Sequence, residues 1–152
     1  MPPRLPLSLS RNWTDAFIGI PFHEGGRDVS GCDCGGLVLL VLRELAGVHA
    51  RDVTVDYGAE HFRGTTIGRR RLEASIASAL AEWRPVRPGE VLHPLDMLQF
   101  NIGGVPCHLA LHVGPRAMLH VFHGSDSAIE NPDSPKWSSR LVEVWRHADL
   151  DG

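Results

Sequence analysis

The sequence predicts an α+β protein in which N-terminal helices pack on a central antiparallel sheet. Three observations carry this. Apolar residues recur at i, i+4 in two early segments, Leu37, Val41 and Leu45, then Leu72, Ile76 and Leu80. From Leu95 onward the pattern changes to short alternating or apolar runs punctuated by Gly and Pro. The helical segments precede the strand-like ones instead of alternating with them, which is the order of an α+β chain.

Taken along the chain, Asn12 is placed to cap a short helix through Trp13, Ala16 and Phe17. Gly19, Pro21, Gly25, Gly26 and Gly31 then mark a loop. Cys34 to Ala46 reads as a largely buried helix closed by Gly47. Residues 48–68 suggest no element. Arg69 to Trp83 reads as a second amphipathic helix, ended by Pro85 and Pro88. A strand follows from Leu95, with Leu98 and Phe100 on one face and Met97 and Gln99 on the other. Gly103-Gly104 is a hairpin turn. His108 to Val113, Met118 to Phe122, Ser127 to Glu130 and Leu141 to Arg146 complete an antiparallel meander.

Composition narrows the function. A chain of 152 residues suits one domain and one core, so residues 1–152 are expected to form a single unit. A net charge of -3 gives no reason to expect nucleic acid or an anionic membrane as partner. The longest apolar run, Leu37 to Leu42, is too short to span a bilayer. Met1 to Asn12 lacks the apolar stretch of a signal peptide, so synthesis in the cytoplasm without a leader is expected. With 3 cysteines, not all can pair, and a disulfide framework is not expected.

The thiols point to chemistry. Cysteine nucleophiles need a base beside the thiolate and a group that orients the base. The thiolate is favoured at a helix N-terminus, where unpaired N–H groups and the helix dipole stabilise negative charge. Cys34 stands at such a start, and Gly35-Gly36 would let a substrate backbone approach. Position alone leaves a small buried cysteine equally open. His108 begins an apolar strand and is the candidate base, with His112 four residues on and facing the same side. His120, on the next strand, is placed to hydrogen-bond the other nitrogen of His108 and fix its tautomer. Each histidine, taken singly, reads more readily as a structural or surface residue. Cys32-x-Cys34 raises a redox or metal pair, but only Cys107 would join as a further thiol, so no metal is expected. A Cys32–Cys34 disulfide would switch such an enzyme off. Arg69-Arg70-Arg71 reads as a solvated face, and Trp13, Trp83, Trp137 and Trp145 as core or interface residues.

Four blocks of the sequence resemble a known family. Gly19-Ile20-Pro21-Phe22, Gly25-Gly26-Arg27-Asp28 and Asp33-Cys34-Gly35-Gly36-Leu37-Val38 resemble the opening motif of the NlpC family of cell-wall cysteine peptidases. Leu95 to Phe100 resembles its Gly-Asp-hydrophobic strand, and His108 to Gly114 its histidine strand. Met118-Leu119-His120 resembles the strand of the third polar residue. Within the family the blocks are most similar to the phage-tail and gene-transfer-agent branch.

The resemblance implies a small papain-like α+β fold and hydrolysis of amide bonds in peptidoglycan stem peptides, without metal or organic cofactor. It implies Cys34 as nucleophile, His108 as general base and His120 as orienting group, with the Cys34 N–H as oxyanion donor. It also implies tail-tip proteins as partners and a phage-like particle as carrier. Two positions depart from the family. Phe22 replaces a common tyrosine that reaches the active site, and Leu95 replaces a common glycine before Asp96. His112 stands where relatives often have an aromatic residue, so a packing role is expected. The alternatives are a structural tail-tip component with weak or vestigial activity, or a thiol amidase or acyltransferase on a non-wall substrate.

Overall fold

The computed structural model describes residues 12–52 and 65–151. Met1 to Arg11, on which the signal-peptide expectation rests, and residues 53–64 lie outside them. Asn12 precedes a 3-10 turn, Trp13–Phe17, but its side chain does not cap it. The loop that follows contains a small antiparallel ladder, β1 (Arg27–Asp28) and β2 (Gly31–Cys32). Helix α1 runs Cys34–Ala46, as its i, i+4 stripe predicts. Gly47 ends it at φ 65°, and the Gly47 and Val48 N–H groups bond back to Arg43 and Leu42.

Helix α2 spans Thr66–Ala79, capped by Thr65, whose hydroxyl accepts the Gly68 N–H at 2.9 Å. It ends earlier than the apolar stripe suggests. Leu80–Glu82 tighten into a 3-10 turn, and Trp83 opens strand β3 (Trp83–Pro85) because His147 offers it a ladder partner. Trp83 therefore belongs to the sheet and not to the helix.

The remaining strands are β4 (Met97–Ile102), β5 (Val105–Gly114), β6 (Ala117–His120), β7 (Ala128–Glu130) and β8 (Leu141–His147). A short helix, α3 (Pro135–Ser138), precedes β8. Among the described residues they form a six-stranded antiparallel sheet in the order β3-β8-β4-β5-β6-β7. Gly103 and Gly104, at φ 58° and 78°, make the two-residue β4–β5 turn. β4 to β7 are the predicted meander, but β8 crosses back to lie beside β4. A buried ion pair holds that crossing: Arg146 on β8 grips Asp96 through Nε and Nη2, both at 2.8 Å.

The sheet separates two apolar layers. Met97, Leu109, Leu111 and Leu119 face α1 and α2 and join Leu37, Val41, Leu72 and Ile76 in the main core. Leu98, Phe100, Ala110 and Met118 face the other way and pack against Trp137 of α3. The alternation read in β4 is thus the alternation observed. Among the described residues no helix is long and apolar enough to cross a membrane.

Candidate active site

Cys34 is the first residue of α1, and Asp33 before it is the cap. The Asp33 Oδ1 accepts the Gly36 N–H at 2.7 Å, while Oδ2 accepts the Gly25 N–H at 2.9 Å. Arg27 Nη1 donates to the same Oδ1 at 2.9 Å. One buried carboxylate therefore starts the helix and ties the preceding loop to it. Gly36 serves that packing: a Cβ there would stand 2.0 Å from the Gly26 carbonyl oxygen. At the first helical position, the Cys34 N–H has no acceptor within the helix.

The thiol meets the sheet at an irregularity. Cys34 Sγ lies 3.9 Å from the Cys107 carbonyl oxygen on β5. Phe100 pairs with His108 and Asn101 with Pro106, so Cys107 is the extra residue of a β-bulge. Bulges of this kind re-aim neighbouring side chains, and the next residue is His108. Its Nε2 lies 2.9 Å from His120 Nδ1 on β6, the contact expected from the sequence. His120 Nε2 in turn bonds the Glu130 carboxylate on β7. The sheet order β5-β6-β7 thereby sets three ionisable groups in a row that begins one residue after the carbonyl the Cys34 thiol approaches.

Aromatic rings enclose this row. The Trp137 indole stacks on His108 at 5.3 Å between centroids and meets His120 edge-on at 5.1 Å. Phe100 and Phe122 pack on His108 from other sides. Burial lowers the basicity of His120, partly offset by the hydrogen bond and charge of Glu130. Burial, the largest influence, pushes the Glu130 carboxyl up, but the His120 hydrogen bond and charge, with smaller contributions from Trp137 and Lys136, together hold it below the ordinary glutamate range. A proton relay along β5, β6 and β7 is the chemistry such a row supports.

Glu130 and Trp137 were not legible as site residues. Glu130 ends an expected strand, and its alternation shows only that it shares a face with Ala128. Trp137 lies on a one-turn helix that Pro135 opens, where no periodicity marks a face.

The other candidates fall outside the row. Cys32 is fully buried, its thiol donates to the Asp28 carbonyl at 3.0 Å, and burial pushes it up to about 11. A thiol held so firmly protonated is a poor partner for a Cys32–Cys34 disulfide. Phe22 packs edge-on to His123 at 5.4 Å. His112 does face the side of His108, opposite Met118, and its backbone bonds Leu95 and Asp96. Leu95 itself is fully buried with φ 75°, so a non-glycine residue occupies a left-handed position. Among the described residues no three His, Cys, Asp or Glu side chains converge as a metal site.

Similarity to known proteins agrees with this architecture. No curated protein matches the chain in sequence. Among solved structures, an NlpC/P60 family protein from Bacillus cereus superposes with a TM-score of 0.60 over 90% of this chain, at 18% identity. The NlpC/p60 domain of the peptidoglycan hydrolase SagA superposes with a TM-score of 0.50 over 86% of this chain and 89% of its own length, at 21% identity. A Staphylococcus aureus protein of the NLP/P60 family, similar to a lipoprotein, gives 0.59 over 97% at 15% identity. This chain spans 38% of the Bacillus cereus protein and 44% of the Staphylococcus aureus one. These likenesses bear on the fold, which is α+β with a central antiparallel sheet. The model of the NlpC/P60 family matches residues 19–146, from the loop before the cysteine helix to the last strand, and the chain belongs to that family.

Proposed function

We propose that the chain is a cysteine peptidase that hydrolyses amide bonds in peptidoglycan stem peptides, with Cys34 as nucleophile, His108 as general base and His120 as orienting group. Membership of a family of peptidoglycan hydrolases supports the substrate class. The observation that carries the residue roles is the approach of the capped Cys34 thiol to the bulge at Cys107, one residue before a histidine already bonded to a second.

With Nε2 engaged by His120, Nδ1 is the nitrogen of His108 that serves the thiol. It takes the Sγ proton as sulfur attacks the scissile carbonyl carbon. The oxyanion forms beside the Cys34 N–H at the start of α1. His108 returns the proton to the departing amine, leaving a thioester. Water, deprotonated by His108, attacks that thioester and releases the carboxylate product and the thiol.

The proposal extends to a single peptidase domain over residues 1–152, made in the cytoplasm and carried to the wall on a phage-like tail tip. The tail association is supported by the sequence resemblance of the blocks around Cys34 and His108, and co-purification with tail proteins tests it. Incubation with purified peptidoglycan tests the activity: wild type releases muropeptides whose masses name the bond, and Cys34→Ala, folded, releases none. Equal inactivity of both on walls and stem peptides, with both assembling into particles, supports the structural tail-tip reading instead. Cleavage of non-wall amides alone supports the amidase or acyltransferase reading.

A further inference from the structure

We propose that Glu130 is a positioning residue that sets the direction of the proton relay and so keeps His108 able to accept the proton of Cys34. The inference rests on the reading of Cys34 and His108 as nucleophile and base. It follows from the order of contacts His108 Nε2–His120 Nδ1 and His120 Nε2–Glu130.

An ionised carboxylate only accepts hydrogen bonds, whereas a neutral imidazole donates from one nitrogen and accepts at the other. Glu130 therefore requires the proton on His120 Nε2. His120 Nδ1 then carries a lone pair, and the hydrogen in the 2.9 Å contact must come from His108 Nε2. This leaves the lone pair of neutral His108 on Nδ1, where the thiol proton goes. The reverse order would put a proton on His108 Nδ1 and turn a lone pair of His120 toward the carboxylate. In that arrangement His108 has nothing with which to accept a proton.

The surroundings make Glu130 the group that decides. The His120 side chain is 3% exposed, so bulk water does not replace the carboxylate, while Glu130 itself is 38% exposed. Trp137 closes the stacked side of His108 and the edge of His120. The charged neighbour on α3 is Lys136, whose ammonium lies 5.2 Å over the Trp137 ring and favours an ionised Glu130. When His108 becomes imidazolium, the Glu130 charge stabilises it through the polarised His120 ring.

Two measurements test this on the full chain. Nitrogen-15 imidazole NMR of the wild type is expected to show His120 protonated at Nε2 and His108 unprotonated at Nδ1; the opposite tautomers overturn the inference. Alkylation of Cys34 by iodoacetamide, followed by peptide mass spectrometry across pH, is compared in wild type and Glu130→Gln. The variant is expected to react about 10-fold or more slowly at neutral pH, with its profile moved to higher pH, on the scale of tautomer-directing contacts. A folded Glu130→Gln with the wild-type rate and profile overturns the role of Glu130 alone. If wild-type Cys34 reacts no faster than an ordinary thiol, the nucleophile reading fails and the inference with it. If Glu130→Gln does not fold, the wild-type tautomers still decide.

Discussion

Asp33 caps the helix that begins at Cys34, its Oδ1 accepting the Gly36 N–H at 2.7 Å while Arg27 holds the same oxygen at 2.9 Å. The residue before Cys34 is therefore structural, and its contribution is measurable. Asp33→Ala is expected to lose the cap and leave Arg27 without its buried partner, costing about 1–3 kcal/mol. Asp33→Asn keeps the capping oxygen and loses less. Urea unfolding of the two variants checks the order, and equal losses would show that the cap contributes little.

Gly36 is expected to tolerate no side chain. In Gly36→Ala the new Cβ meets the Gly26 backbone oxygen, and only a shift of the loop or the helix start relieves the clash. Overpacking of this kind typically costs about 1–3 kcal/mol. Because the loop is tied to Asp33 beside Cys34, activity falls with stability. A variant that unfolds like wild type but is inactive would point to a direct role of Gly36 in substrate binding.

Leu95 reverses an ordinary ranking. At φ 75° a side chain is strained by roughly 1–2 kcal/mol, and glycine is free of that strain. Leu95 is also fully buried, so either truncation loses about 2–5 kcal/mol of packing. Both Leu95→Ala and Leu95→Gly are expected to be destabilised, but glycine is at least as stable as alanine. Thermal denaturation decides; alanine above glycine by the usual helix-and-strand margin would contradict the strain.

Acid is expected to weaken the fold from near-neutral pH downward. His112 and His120 have folded basicities lowered by burial, so the stability they contribute is present above the unfolded histidine value of about 6.5. That stability is lost as pH falls and the unfolded chain takes up protons that the folded one resists. Glu130, also lowered, adds a further loss below the ordinary glutamate value near 4.5. Melting temperature should drop between about pH 7.5 and 5.5, and less steeply in His112→Gln. A flat profile in wild type would contradict the burial of these rings.

How much was legible follows from which signals are local. α1 was readable because its apolar stripe and Gly47 lie within one segment, and β4–β5 because Gly103-Gly104 states its own turn. The His108–His120 contact was readable because adjacent hairpin strands align their faces. Trp83 was misplaced because the stripe of α2 runs into it, while its partner His147 is far along the chain. The return of β8 to β4 depends on the buried Asp96–Arg146 pair, which no periodicity announces. Glu130 and Trp137 reach His120 and His108 from a strand end and an isolated turn, so these contacts exist only in the folded protein.

The most direct test of the central claim is capture of the acyl-enzyme. Wild-type protein is mixed with a purified stem peptide, quenched in acid within the turnover time and digested for mass spectrometry. The account predicts a peptide fragment in thioester linkage to Cys34, removed by hydroxylamine and absent from Cys34→Ala. Cleavage of the stem peptide by Cys34→Ala at the wild-type rate, with no adduct on Cys34 in either protein, would contradict it.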